Sequence, residues 1–137
     1  MKIEFVYKIL PVFIFTGNWF NRFKFYRNAT GITIGNCIVI KPDVSAFDYV
    51  LILRHEKVHT EQFYRYLGIN GILYLFERFR IKLEAEAYAV QYDSRYFDTF
   101  YKSTKAIAEN IKDNYAITKY SYEDVYREVM KARINHR

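Results

Sequence analysis

The chain of 137 residues is poor in cysteine, proline and glycine. Its single cysteine, Cys37, excludes an intrachain disulfide and a metal site built from cysteines alone. With only 2 Pro and 5 Gly, few positions interrupt a helix, so long helices are expected. No apolar run approaches the roughly 20 residues that a membrane-spanning helix needs. The length suits one ordinary core, and we predict a single domain over residues 1–137.

Aromatic and basic residues are abundant by contrast, with an aromatic share of 20% and a net charge of +6. Hydrophobic residues make up 51% of the chain and charged residues 26%, which indicates a folded globule rather than disorder. The positive charge permits weak attraction to acidic surfaces. Because the basic residues are scattered and match no nucleic-acid-binding motif, no specific nucleic-acid partner is expected. Weak contact with a membrane surface is an open alternative, and the oligomeric state is left unpredicted.

Residues 9–15 form an apolar run near the N-terminus. Lys2 and Lys8 precede this run, as basic residues do in a secretory signal. Glu4 spoils the charge bias, and the following Thr16-Gly17-Asn18 is a poor cleavage site. We therefore expect the run to pack into the domain, with a secretion or membrane-surface segment as the alternative. A cytoplasmic location is favoured, and secretion through this run is not excluded.

Local turn and cap signals predict a hairpin followed by a helix. The β-branched stretches 32–34 and 37–40 flank Gly35-Asn36, a dipeptide typical of hairpin turns. Ser45, with Asp48 three residues later, fits the capping box that begins many helices. A helix of about twenty residues should follow this cap.

The second half of the chain is expected to be mainly helical, since no Gly or Pro follows position 71. The expected order is a helix from about residue 70, a turn within 77–80, a helix over 83–101, a partly irregular stretch over 110–120, and a last helix from the Ser121 cap to about Ile134. A hairpin followed by helices indicates an α+β fold, with a small antiparallel hairpin or sheet packed on the helices.

Residues 55–59 read HEKVH, in which His55, Glu56 and His59 fill the HExxH pattern. Helical residues four apart differ by roughly 40° in rotation and about 6 Å in rise, so the two imidazoles point to one side and can share a metal ion. Glu56 lies roughly 100° around the helix from His55, where its carboxylate can take a proton from water beside the metal. The pattern is therefore typical of a metal-dependent hydrolase.

A catalytic zinc site uses three protein ligands and leaves one position open. A third histidine shortly after the motif is excluded, because Gln62 and Arg65 stand where that pattern requires Gly and His. A glutamate on a later helix is the other common solution. Glu84 and Glu86 each begin an ExxA sequence among small residues. Since the two are separated by roughly 200° around a helix, only one of them can face the metal.

At these residues the chain resembles the gluzincins, the thermolysin-like clan of zinc metallopeptidases, and in particular short stand-alone members of bacterial or phage type with an ExxA helix. The resemblance spans roughly residues 30–95 and implies a zincin-like fold that binds Zn²⁺. It implies that His55, His59 and Glu84 are the zinc ligands, with Glu86 as the alternative third ligand. It also implies that Glu56 is the catalytic general base.

Many relatives carry an acidic residue after ExxA that orients a ligand histidine, and this chain has Tyr88 there. The resemblance therefore leaves Tyr88, Tyr92 and Gln62 as candidates for supporting a ligand, with the tyrosines also candidates for stabilising the oxyanion. An arginine within 78–80 is a further candidate for the oxyanion.

These assignments predict a zinc metalloendopeptidase that hydrolyses peptide or protein substrates with a metal-activated water. An extended substrate should add to a free edge of the sheet, and the strand at 37–40 is the expected edge. The alternative is a non-catalytic structural or binding protein of zincin fold, in which zinc only stabilises the fold.

Overall fold

A computed structural model of the chain describes residues 1–6, 9–22, 29–93 and 100–136. These residues form a four-stranded sheet and five α-helices, which confirms the predicted α+β class. The chain divides into two compact units, Met1–Gly68 and Ile69–Arg137, and each is described by itself. None of the described helices combines the length and the apolar character that crossing a bilayer requires.

The first unit contains the sheet and one long helix. Its elements are β1 (Lys2–Val6), β2 (Leu10–Thr16), a 3-10 helix (Trp19–Arg22), β3 (Gly31–Ile34), β4 (Cys37–Ile40) and α1 (Ala46–Arg65). The strands lie in the order β1-β2-β4-β3. The outer pairs are antiparallel, whereas β2 and β4 run parallel. The expected antiparallel sheet is therefore corrected to a mixed one, because the N-terminal strands join the predicted hairpin through a parallel contact.

The N-terminal apolar run forms most of β2. Its side chains alternate, with Val12 and Ile14 buried in a cluster that also contains Ile38 and Ile40 of β4. Half-buried residues of α1 pack against this cluster, so the inner face of the sheet is covered by the helix. The prediction that this run packs into the fold is confirmed.

The predicted hairpin and first helix are both confirmed. Gly35 has a φ of +62°, a left-handed conformation that glycine adopts without steric cost in the turn between β3 and β4. Asp48 N donates to Ser45 Oγ at 3.1 Å, which caps the start of α1. The helix is 20 residues long. Gly68, with a φ of +83°, follows it and donates its N–H to the carbonyl of Phe63.

The second unit is helical and consists of α2 (Asn70–Leu73), α3 (Glu77–Gln91), α4 (Phe100–Asn114) and α5 (Tyr122–His136). Helix α5 packs against both α3 and α4. The core of this unit contains Ile81, Ala85, Ile107, Ala108, Ile111, Ile117, Val125 and Val129. The small residues of α3, including Ala87 and Ala89, are also buried, which allows neighbouring elements to approach this helix closely.

Two predicted boundaries in the second unit are wrong. The stretch 77–80 is no turn but the first turn of α3, because the break falls at Phe76, whose backbone is extended. The helix predicted over 83–101 therefore begins earlier, and it ends at Gln91. Part of that prediction, residues 94–99, lies outside the described residues. Of the stretch 110–120, residues 110–114 belong to α4 and the rest is irregular, while the Ser121 cap begins α5 as predicted.

Candidate metal centre

The HExxH histidines lie in the middle of α1 and point in one direction. His55 is buried at 6% exposure and His59 is half-buried. Their Nε2 atoms are 3.1 Å apart, and the two rings meet at an interplanar angle of 75°. One helical turn between the residues thus brings two imidazole nitrogens to the same point, as the helical period predicts.

This spacing can be compared with what zinc requires. Two nitrogens bound to zinc at 2.0–2.1 Å with a tetrahedral angle between them lie about 3.3 Å apart. The observed separation is 3.1 Å, so a small movement of either ring would bring the two nitrogens to the spacing found around zinc. The donor type also suits zinc, since neutral imidazole is among its preferred ligands. The histidine pair therefore fits a zinc ion.

Gln62 supports one histidine of the pair. The Nδ1 atom of His59 and the side-chain oxygen of Gln62 are 2.8 Å apart, and Gln62 is fully buried. Because an amide oxygen can only accept a hydrogen bond, Nδ1 of His59 is the donor in this contact, and Nε2 is the ring nitrogen that faces His55. This is the arrangement by which outer partners orient metal-bound histidines. Of the three residues that the sequence suggested for support, Gln62 is the one on the same helix as the pair.

Glu56 is held against the sheet by Thr33 of β3. Thr33 Oγ1 donates to Glu56 Oε2 at 2.7 Å and also lies 3.0 Å from the backbone oxygen of Glu56. Glu56 is buried at 7% exposure, so this contact holds the carboxylate in a fixed place. Sequence reasoning did not identify Thr33. The signal was its position in the strand, two residues after Gly31 and thus on the same face.

Gly31 lets β3 approach α1 closely at the same point. A Cβ atom on Gly31 would lie 2.6 Å from Cγ2 of Ile52 and 3.2 Å from Oε1 of Glu56. Any larger residue would therefore meet the helix and the Glu56 side chain. Gly31 is a second residue of this site that the sequence alone did not reveal.

The expected free strand edge lies elsewhere. Strand β4 (Cys37–Ile40) has β2 on one side and β3 on the other, so the prediction that it offers a free edge is wrong. The reason is the parallel addition of β2, which no local signal in the sequence indicates. Strand β3 is one of the two outer strands of the described sheet, the other being β1, and it lies next to β4 and beside the helix that carries the histidines.

Glu84 and Glu86 both lie on α3 in the second unit. Glu84 is 2% exposed, and its Oε1 accepts a hydrogen bond of 2.7 Å from the hydroxyl of Tyr74. Glu86 is half-buried. Tyr74 was not identified from the sequence, because it lies in the short turn between α2 and α3 and reaches Glu84 only through the fold.

The tyrosines proposed from the sequence belong to the helical core of the second unit. The Tyr88 hydroxyl accepts a hydrogen bond of 2.6 Å from Asn110 Nδ2 and lies 2.9 Å from the hydroxyl of Tyr115. Burial raises the pKa of Tyr88 well above its ordinary value, so the phenol stays neutral. Tyr92 stacks on Tyr88, with ring centroids 6.1 Å apart, and its carbonyl accepts from Arg133.

The arginines of the 78–80 segment differ in their surroundings. Arg78 is exposed. Arg80 donates from Nη1 to the carbonyl of Tyr74 and from Nη2 to the carbonyl of Ala116, both at 3.0 Å. Arg80 therefore connects the turn before α3 with the segment that follows α4.

The described part of the first unit thus combines two convergent imidazole nitrogens with a buried carboxylate that lies one residue along the same helix. Such a set can bind a divalent metal and move a proton beside it. In three comparisons the chain matches no known protein-family model, no curated protein and no solved structure.

Proposed function

We propose that this protein is a zinc-dependent metallopeptidase of the gluzincin type, with a zincin-like fold and Glu56 as its general base. The observation that carries this proposal is the 3.1 Å approach of the Nε2 atoms of His55 and His59 beside the fixed carboxylate of Glu56. A glutamate between the two histidines is not a metal ligand, and a purely structural metal site would not need it. Its burial and its bond to Thr33 therefore favour catalysis.

The proposed third ligand is Glu84, with Glu86 as the alternative. Within α3, Glu84 is the more deeply buried of the two, and its Oε1 accepts a hydrogen bond from the Tyr74 hydroxyl. A buried carboxylate with a restrained orientation is a better candidate for a ligand than the half-buried Glu86, and this supports the choice of Glu84. Zinc, when bound, supplies Lewis acidity, which polarises the substrate carbonyl and lowers the pKa of water towards about 7.

Three residues of the first unit would have separate roles in peptide hydrolysis. Gln62 accepts a hydrogen bond from Nδ1 of His59, so Nε2 is the nitrogen that would bind the metal. Glu56 takes a proton from the attacking water and passes it to the amine that leaves when the peptide C–N bond breaks. Thr33 holds Oε2 of Glu56, so the carboxylate does not have to reorient during the transfer.

An extended peptide is the substrate that the fold favours. We propose that it pairs with β3, the outer strand of the described sheet that lies beside α1 and Glu56, instead of with β4. Strand β3 also carries Thr33 and Gly31, which contact or approach Glu56, so a peptide added there would run close to the general base. Weak contact with an acidic membrane and the absence of a specific nucleic-acid partner stay predictions.

The second candidate is a non-catalytic protein of the same fold in which zinc only stabilises the structure. The observation in its favour is the hydrogen bonding of Tyr88, which directs its hydroxyl to Asn110 and Tyr115 in the helical core. The position after ExxA would then contribute to packing, with no part in orienting a ligand. This candidate predicts zinc binding without peptide hydrolysis.

The test compares Glu56→Gln with Glu61→Gln, a matched change on the same helix in a half-buried glutamate. Zinc content is measured in each purified protein, and hydrolysis is measured on a panel of denatured protein substrates with and without chelator. We expect one zinc ion per chain in both variants. Glu56→Gln should lower hydrolysis by about 10²–10⁴-fold, because a general base is lost, whereas Glu61→Gln should leave it unchanged.

His59→Ala provides the complementary measurement, since it removes one of the two convergent nitrogens and should abolish zinc binding. Hydrolysis at the parent rate by Glu56→Gln would refute the proposed mechanism. Zinc that is retained by the parent, together with no hydrolysis of any substrate, would favour the non-catalytic candidate.

A further inference from the structure

We propose that Tyr74 is a positioning residue that fixes the Glu84 carboxylate for metal coordination. This inference rests on the proposed function, because it assumes that Glu84 is a zinc ligand. It concerns a residue that neither the HExxH nor the ExxA pattern includes. The hydrogen bond from the Tyr74 hydroxyl to Oε1 of Glu84 restrains the rotation of this carboxylate.

The carboxylate of a glutamate on a helix takes a single orientation only when a hydrogen-bond partner restrains it. The last torsion of a glutamate side chain has a broad energy profile, and the helix backbone does not determine it. A donor at 2.7 Å restricts this freedom, and Glu84, at 2% exposure, has little access to bulk water for the same purpose. The phenol is neutral, so it orients the carboxylate without cancelling the negative charge that a zinc ligand needs.

Tyr74 is itself held in place at its backbone and at its ring. Its N–H donates to the carbonyl of Asn70 at 2.8 Å, and its carbonyl accepts from Arg80 Nη1 at 3.0 Å. The Arg80 guanidinium also lies 5.7 Å from the centroid of the Tyr74 ring, within the range of a cation–π contact. The residue whose hydroxyl contacts Glu84 is therefore held by three contacts, one with Asn70 and two with Arg80.

In the gluzincins that the chain resembles, the acidic residue after ExxA orients a ligand histidine, which is a different role from the one proposed for Tyr74. In this chain the hydroxyl of Tyr88 at that position is engaged by Asn110 and Tyr115. Tyr74 lies ten residues before Glu84 in the chain and donates to the carboxylate of the proposed ligand itself. Loss of such an outer partner typically lowers metal affinity by about 10–100-fold.

The experiment compares Tyr74→Phe with Tyr64→Phe in the full chain. Tyr64 is the matched control, because its hydroxyl also donates one part-buried hydrogen bond, of 2.8 Å, but to the carbonyl of Pro11. The zinc dissociation constant is measured by competition with a chelator of known affinity, and the absorption spectrum of the cobalt-loaded protein reports the ligand geometry. The melting temperature of the metal-free protein shows whether each variant folds.

We expect Tyr74→Phe to weaken zinc binding by about 10–100-fold and to alter the cobalt spectrum, while Tyr64→Phe changes neither. A parent protein that binds no zinc would overturn the proposed function itself. A parent that binds zinc, with equal affinity in Tyr74→Phe and Tyr64→Phe, would overturn only the role of Tyr74. Should Tyr74→Phe fail to fold, Arg80→Gln is measured instead, since it removes the ring contact, and unchanged affinity there counts against the inference.

Discussion

Replacement of Gly31 by alanine tests whether the close approach of β3 to α1 positions Glu56. The new Cβ would lie 2.6 Å from Cγ2 of Ile52, where carbon atoms normally stay about 3.5–4.0 Å apart. The strand, the helix or the Ile52 side chain must therefore shift by about 1 Å. Overpacking of this kind costs about 1–3 kcal/mol, and the lower backbone entropy of alanine in the unfolded chain offsets about 0.5–1 kcal/mol of it.

The expected net loss is about 0.5–2 kcal/mol, which corresponds to a fall of roughly 2–8 °C in the melting temperature. Gly71→Ala is the control, since no atom lies within 4 Å of its added Cβ and the residue is in α2. That change should leave the melting temperature equal or raise it slightly. Thermal unfolding followed by circular dichroism measures both variants.

A second substitution, at Ile52, tests whether the loss of stability in Gly31→Ala comes from the contact between the new Cβ and the Ile52 side chain. Ile52→Ala removes the methyl group that Gly31→Ala would meet, so Gly31→Ala should lower the melting temperature less in the Ile52→Ala background than in the parent. The carboxylate of Glu56 should also be displaced, because Oε1 lies 3.2 Å from the added Cβ. Peptide hydrolysis by Gly31→Ala should then fall by roughly 10–100-fold. A Gly31→Ala protein as stable and as active as Gly71→Ala would refute this reasoning.

Two predictions concern the second unit. Glu77→Gln should change the pH dependence of stability: hydrogen bonds from Thr118, and then from the backbone of Lys119, lower the pKa of Glu77 in the folded state. The stabilisation by the ionised Glu77 is therefore fully present above the ordinary pKa of a glutamate, and it disappears as the pH falls through the lowered pKa of the folded state. The free energies of unfolding of parent and variant should differ most above about pH 5 and should converge in acid. A constant difference from pH 3 to 7 in urea unfolding would contradict this. Ser121→Ala should cost about 0.5–2 kcal/mol, because the Ser121 hydroxyl accepts from Asp124 N at the start of α5; an unchanged urea midpoint would show that the cap contributes nothing.

Features that depend on neighbouring residues were predicted well from the sequence. Gly35-Asn36 predicts the hairpin because its turn needs a left-handed backbone, and the φ of +62° at Gly35 agrees. Ser45 predicts the start of α1 because its hydroxyl can reach Asp48 N only when the helix begins there. The convergence of His55 and His59 follows from the helical period in the same way.

Features that depend on distant parts of the chain were missed or misplaced. An apolar run such as residues 9–15 is compatible with a strand, a buried helix or a targeting segment, so its parallel pairing with β4 had no local signal. The same holds for the end of the long helix predicted over 83–101, which stops at Gln91 without a glycine or proline. Tertiary packing determines such boundaries when the chain contains no strong helix breaker.

The candidate site shows the same division. The sequence alone identifies the three residues of the HExxH pattern, His55, Glu56 and His59. It also predicts that the two histidine side chains point to the same side, because residues four apart lie on one face of a helix. Only the tertiary structure brings Thr33 to Glu56 and Tyr74 to Glu84, since each pair joins separate elements. Such contacts depend on how side chains from different elements fill a common interior, and no local rule of the backbone specifies that packing.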